Sequence, residues 1–288
     1  MSKKTWVLWA VLIAVLSSLI TGFILRSGQE PSRSSFQETA YDRVMRTKTL
    51  RCGYADWPPH VLVKDPTTGK MSGIFVDVTQ ALAKRLGLKV EWTENTGWGS
   101  LIESLRSRRI DAFCAGAFVN AERGLYLSFG KPVFYSAVYP YVRQNDHRFD
   151  KDLSIVNNPD IRISAIDGEV SSVVAQERFP KASIVSVPQL GQITDMLINV
   201  VMRKADIVFT ESSFVNGYIA ANPSTLRLAR DKPFAVFAVA LAFNIHDITL
   251  REMFNSAFIE LQNYGIIDQI ISKYSKDKQD FLRVAPPY

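Results

Sequence analysis

Arg123 lies in "VNAERGLYLSFG", on a connection after the apolar run "IDAFCAGAF", with only Glu122 as a nearby acid in the chain. A guanidinium in such a place presents a planar fork of donors that can bond both oxygens of a carboxylate. Withdrawal from water strengthens that pair. A surface arginine in a structural ion pair is the commoner role for the residue type, and the residues alone leave both roles open. Trp57 in "DWPPH" and Trp98 in "TGWGS" offer aromatic faces that suit an apolar or a cationic group, and equally an ordinary core.

The usual catalytic signatures are absent. "TTGKMS" carries a Gly-Lys pair, but Lys64 stands where a phosphate loop needs its first glycine and Met71 where it needs Ser or Thr. There is no G-x-S-x-G. His60, His147 and His246 have no ligand spacing, and Cys52 and Cys114 form neither a CxxC pair nor a disulfide framework. No cofactor or metal is expected. The net charge of +6 is partly carried by Lys3, Lys4 and Arg26, without a basic block in the rest, so nucleic acid is not an expected partner.

The elements that must position these residues alternate. "TLRCGYA", "KVEWTEN" and "IDAFCAGA" read as strands, "DVTQALAKRLGL" and "GSLIESLRSRR" as helices, and "HVLVKDPTTGKMSGIFV" as a hairpin. The pattern then restarts: strand "RISAID", helix "SSVVAQERF", strand "ASIVSV", helix "ITDMLINVVMRK", strand "ADIVFTE". "RRIDAFCAG" and "RKADIVFTE" echo each other, each a basic helix end, an Asp and an apolar strand. Strands alternating with helices predict an α/β protein with two similar lobes, each a mainly parallel sheet. "FYSAVYPYVRQ" and "PFAVFAVALAFNI" are the expected crossovers. The second returns two C-terminal helices, "TLREMFNSAFIELQNYG" and "IIDQIISKYS", to the first lobe.

With these elements in order, the chain resembles type II periplasmic solute-binding proteins of the amino-acid uptake group, the extracellular solute-binding family 3. The resemblance rests on "GIFVDVTQALAKRLGL", with Asp77 as the second acid of the signature and Phe75 replacing the first. It also rests on "LIESLRSRRIDAFCAGAFVNAERGLYLSFGKPVFYS" and "LREMFNSAFIELQNYGIIDQIISKY", and spans about residues 41 to 276. It implies lobe one at 41–139 and 236–288, lobe two at 144–232, two crossover strands, and a ligand clamped by hinge closure. Ligands of such sheets sit at the carboxyl ends of strands, where Arg123 and Glu211 fall.

The resemblance also implies roles. Arg123, twelve residues after Asp111, receives the α-carboxylate of an amino acid. Glu211, five residues after Asp206, stands where the family carries an acid for the α-amino group; most members have Asp there. Trp57 stacks on the ligand side chain, and Trp98 faces the same cleft. Ser171 completes carboxylate binding at a helix N-terminus, a role compatible with capping that helix. Phe118 and Asn120 replace the family's Ser/Thr and Thr, and Gly116 offers only backbone, which makes the pocket more apolar. The neighbouring strands bring Cys52 and Cys114 together, and two buried free thiols are expected, because a bridge between parallel strands strains the geometry.

"MSKK" precedes "TWVLWAVLIAVLSSLITGFIL", an apolar run of about 20 residues, long enough to cross a bilayer. The positive flank keeps the N-terminus in the cytoplasm and places the chain beyond Arg26 outside it. A signal anchor over 1–26 with a polar linker at 27–40 is the expectation. The alternative is a cleaved signal and a released periplasmic protein. The function implied is an extracytoplasmic receptor that holds an amino acid or related zwitterion for the permease of an ABC importer. The alternatives are a cyclohexadienyl dehydratase-like enzyme using a glutamate of raised pKa as general acid, and a tethered ligand-sensing domain.

Overall fold

The structure, a computed structural model, describes residues 38–65, 70–275 and 281–283, with Trp6, Trp9, residues 14–18 and Thr21 of the N-terminal stretch. The chain divides into two compact units, Met1–Glu38 and Thr39–Tyr288. In the first, residues 14–18 are helical. Among the described residues no helix is long and apolar enough to cross a membrane. The anchor and linker expected over residues 1–40 lie largely outside the described residues.

The second unit contains the strands β1 Thr49–Tyr54, β2 Leu62–Asp65, β3 Lys70–Ser72, β4 Lys89–Asn95, β5 Ala112–Phe118 and β6 Leu127–Phe129. They are followed by β7 Phe134–Arg143, β8 Arg162–Ile166, β9 Ser183–Val187, β10 Ile207–Glu211, β11 Leu226–Leu228 and β12 Ala235–Asn244. Strands β2 and β3 form the expected hairpin. The others share one sheet in the order β4-β1-β5-β12-β7-β10-β8-β9, with β6 added to β12 and β11 to β7. Two parallel triplets thus flank a central antiparallel pair. In each triplet the first strand in the chain, β1 or β8, lies in the middle. The internal echo is therefore real topology: β4-β1-β5 belongs to one lobe and β9-β8-β10 to the other.

The central pair joins the lobes. β7 and β12 pair from Val138 with Ala235 to Phe134 with Val239. Beyond that overlap β12 pairs with β5 and β7 with β10. Both crossovers are apolar because they are buried on both sides for much of their length, as strands inside a covered sheet must be.

The echoing aspartates explain how each triplet is locked. Asp111, 1% exposed, accepts from the Arg51 backbone N–H at 2.7 Å and its guanidinium at 2.9 Å, and from Arg43 Nε at 2.9 Å. Asp206 does the same one lobe later. It accepts from the Arg162 N–H at 3.0 Å and Arg162 Nε at 3.1 Å, with Arg148 at 3.0 Å and Arg143 at 3.3 Å. In both cases the acid at a strand's start satisfies the neighbouring parallel strand's arginine, so burial of the charge is fully compensated.

The helix Ile74–Arg85 starts three residues before the expected Asp77 and buries Val78, Leu82 and Ala83. Asp77 accepts from Lys273 Nζ and Tyr274 Oη, both at 2.8 Å, which ties this helix to the C-terminal helix Ile266–Tyr274. Phe75, standing in place of an acid, is fully buried against Phe134.

One expectation is overturned. Cys52 and Cys114 are joined in a disulfide, not two free thiols. The register pairs Cys52 with Ala112, and a shift in the β1–β4 pairing follows Cys52. The two cysteines therefore meet as a diagonal pair with a Cα–Cα distance of 5.5 Å, well within bridging range.

Candidate functional site

Arg123 is placed by the short helix Ala121–Gly124, whose first turn is capped by Asn120: its Oδ1 accepts from the Arg123 N–H at 2.8 Å. The side chain turns inward and is only 6% exposed. Its guanidinium donates to the Phe118 carbonyl at 3.4 Å and to the Gly168 carbonyl at 2.5 Å. Gly168 lies just after β8, in the other lobe, so this cation already crosses the cleft. Burial lowers its pKa, while Glu169 and Glu122 act in the opposite direction.

The lobes meet backbone to backbone at this point. A Cβ on Gly168, where φ is +76°, would lie 3.1 Å from the Gly99 backbone, and one on Gly99 would overlap Gln189 Oε1. At Gly168 only glycine suits both that φ and that approach of backbones. The structure is of a closed cleft.

Glu211 ends β10 in lobe two and is 4% exposed. Trp57 Nε1, from lobe one, donates to its Oε2 at 3.0 Å, and Ser136 Oγ of β7 donates to Oε1. His60 Nε2 stands 4.0 Å from the same Oε1. Burial pushes the Glu211 pKa up to about 8, and Glu169 pushes it the same way, against the Ser136 and Trp57 hydrogen bonds. His60 is fully buried, neither ring nitrogen has a well-formed hydrogen bond, and burial holds its pKa down at about 3 against the neighbouring Trp57 backbone. Its imidazole is neutral.

Trp57 is not an open platform. His60 stacks on it at 3.8 Å with an interplanar angle of 17°, while Trp98 meets it edge-on at 5.1 Å and Phe118 lies 5.4 Å away. In the closed state its contribution is the indole N–H, not a free face. Trp98 precedes the helix Leu101–Arg106 and is 5% exposed, in contact with Phe113 as well. Phe118 reaches Arg123 through its carbonyl and packs its ring on Trp57 and Phe237. Gly116, at φ +78°, serves packing: a Cβ there would strike the Phe75 ring.

Ser171 is not a donor waiting for an anion. Its Oγ donates to Glu169 Oε2 at 2.5 Å and accepts from the Ile166 N–H at 3.1 Å. The helix Val170–Arg178 begins one residue earlier than expected, and its N-cap is Glu169, which accepts from the Ser171 N–H at 2.8 Å. Three buried participants were missed: Glu169, His60 and Ser136. Glu169 had a signal, an acid immediately after Gly168 and before an apolar helix, which placing the helix start at Ser171 obscured.

Beside this cluster a cavity of about 530 Å³ opens between Pro58-Pro59 and the helix Ser212–Ala221, bordered by Tyr218 and Tyr274. Its lining includes Ser213, whose hydroxyl has no hydrogen-bond partner. Its size suits a small-molecule site. Among the described residues no group of three or more His, Cys, Asp or Glu could hold a metal ion.

Two lobes on a pair of crossover strands, closing charged and aromatic side chains into one cleft, define a hinged binding protein. The chain belongs to the bacterial extracellular solute-binding proteins, family 3, whose family model matches residues 50–277. It is 25% identical over 244 residues to the "Probable histidine-binding protein" of Campylobacter jejuni, covering 83% of this chain and 89% of the relative. It is 28% identical over 240 residues to the "Probable amino-acid ABC transporter-binding protein" of Haemophilus influenzae, covering 80% and 85%. Among solved structures it is similar to the ancestral amino-acid-binding protein AncCDT-1, a precursor of cyclohexadienyl dehydratase. That match has a TM-score of 0.71 and 26% identity, over 83% of this chain and all of that one.

Proposed function

We propose that this protein binds an amino acid on the outer side of the cytoplasmic membrane and delivers it to the permease of an ABC importer. The supporting observation is reciprocal: the buried cation of lobe one bonds lobe two at Gly168, and the buried acid of lobe two bonds lobe one at Trp57. A zwitterion replacing those contacts links the lobes through its own two charges, so binding and closure favour each other. Arg123 holds the carboxylate and Glu211 the ammonium, within walls made by Trp57, Trp98 and Phe118. Residues 41–139 with 236–288 form one lobe and 144–232 the other. The first 26 residues anchor the body to the membrane and residues 27–40 act as its polar linker. That tether raises the local concentration of receptor near a permease of modest affinity.

Glu211 sets the pH dependence. In the ligand-free protein its pKa is raised to about 8, so the folded state favours the protonated form. Its contribution to stability is full below the ordinary value of 4.5 and is lost as pH rises toward about 8. A ligand ammonium favours the ionised form, so binding expels a proton below that range. Affinity should therefore rise with pH, by at most about tenfold per unit, and level off once Glu211 is ionised. Glu211→Gln should flatten this profile and weaken amino acids more than carboxylic acids lacking the amine. Equal losses for both ligand types, measured by calorimetry from pH 5 to 9, would remove Glu211 from amine binding.

The same neutral carboxyl in a dry cleft favours a second reading, a dehydratase in which Glu211 is the general acid. Glu211→Gln separates the two, since a receptor loses affinity and a dehydratase loses turnover.

A further inference from the structure

Residues 281–283 follow the helix Ile266–Tyr274, yet they lie behind the cleft. Leu282 and Tyr135 of β7 exchange both backbone hydrogen bonds, at 2.8 and 2.9 Å. Arg283 ties the segment to the helix, donating to Ser272 Oγ at 3.0 Å and facing Asp268 at 3.4 Å. Phe281 turns inward and is 2% exposed. Its ring lies 4.9 Å from that of Phe134 and meets His60 edge-on at 5.5 Å.

Three consecutive residues of β7 join this segment to the site. Phe134 packs on Phe281, the Tyr135 backbone bonds Leu282, and Ser136 Oγ donates to Glu211. On the other side His60 stacks on Trp57, whose Nε1 donates to Glu211. Both donors described for Glu211 are thus backed by the same short segment, through one neighbour each. His60 is also where a missing ring would be felt. A cavity lined only by apolar groups stays dry, but the two His60 nitrogens, without well-formed hydrogen bonds, would give an entering water its partners.

We propose that Phe281 is a positioning residue for Glu211: packed on His60 and Phe134, it holds Trp57 and Ser136 on the carboxyl and seals the cluster behind the acid from water. This concerns the acid to which the amino-acid reading assigns the ligand ammonium. Its test needs no ligand, so either can fail without the other.

The test is NMR of the purified full chain labelled at tryptophan and histidine. The Trp57 indole N–H, bonded to Glu211, reports the ionisation of that acid as pH rises. The titratable groups around it are His60 in lobe one and Glu169 at the start of the helix Val170–Arg178, with Arg123 acting on Glu169. Burial is the largest cause that raises the Glu211 pKa to about 8. Water admitted in Phe281→Ala should relieve it and lower the midpoint by about one unit or more. His60, neutral in the parent down to about 3, should titrate nearer its ordinary value of 6.5.

Phe281→Leu leaves less room than a water needs and should keep both signals close to the parent. Phe281→Val should fall between, and carries the test where the alanine variant does not fold. Phe254→Ala removes an equally buried ring from the helix Ile248–Asn263, and should lower the melting temperature without moving either signal. Unmoved Trp57 and His60 signals in the alanine and valine variants of Phe281 would overturn the proposal. Movement as large in Phe254→Ala would overturn it too, since general loosening would then explain the effect.

Discussion

Replacing Arg123 by alanine should weaken ligand binding well beyond tenfold, because a charge-assisted hydrogen bond contributes about 1.5–3 kcal/mol and the fork makes two. Arg123→Lys should fare little better, since a point charge on a flexible stem cannot reproduce the planar pair of donors. The fold should survive, as the described bonds of the guanidinium are to two carbonyls at the cleft, that of Phe118 at the end of β5 and that of Gly168 after β8. The alanine variant also removes the cation facing Glu169 and the bond to Gly168, so its ligand-free form should populate the closed state less. Calorimetry gives the first quantity and small-angle scattering the second. Unchanged affinity, once a ligand is known, would remove Arg123 from the site.

Asp206→Ala should destabilise the fold. The carboxylate is 5% exposed and gathers Arg143, Arg148 and Arg162 with the start of β8. Burial by itself would raise its pKa, but the hydrogen bonds from Arg162 and Arg148 outweigh it and hold the group at about 2. Removing the carboxylate should cost about 1–3 kcal/mol, because the Arg162 N–H loses its acceptor while the arginines keep water and Asp146 as partners. For a body of this size the melting temperature should fall by roughly 5 °C. The pH dependence has the opposite sign to that of Glu211. The depressed pKa contributes stability present above 3.8 and lost as pH falls toward about 2. A variant melting within a degree or two of the parent would show that the arginines find other partners.

The architecture was legible because most strands and most helices announce themselves through local patterns. "RRIDAFCAG" and "RKADIVFTE" mark the same position in two triplets, and the structure gives their aspartates the same partners, a strand arginine and its own N–H. The helix Ser212–Ala221 was not legible. It contains Gly217 and buries only Val215, so it lacks an apolar stripe. Strands β6 and β11 are three residues each, too short for an alternating pattern.

Within the site, Arg123 and Glu211 were singled out through the family resemblance, since the residues alone left an ordinary surface role open for each. His60, Glu169 and Ser136 were not, because what distinguishes them is burial against distant segments. His60 is special only through stacking on Trp57, and Ser136 only through Glu211, 75 positions away. Ser171 was over-read for the same reason, since its hydroxyl is consumed by a glutamate two residues earlier. The disulfide escaped because the diagonal placement of Cys52 and Cys114 depends on strand register, which hydrophobic patterning does not report.

A crystal structure of the protein with a bound amino acid tests the central claim most directly. The expected result is the ligand carboxylate on both terminal nitrogens of Arg123 and its ammonium on Glu211, with Trp57 between the lobes. A ligand seated in the cavity beside Pro58-Pro59, with neither Arg123 nor Glu211 in contact, would contradict it.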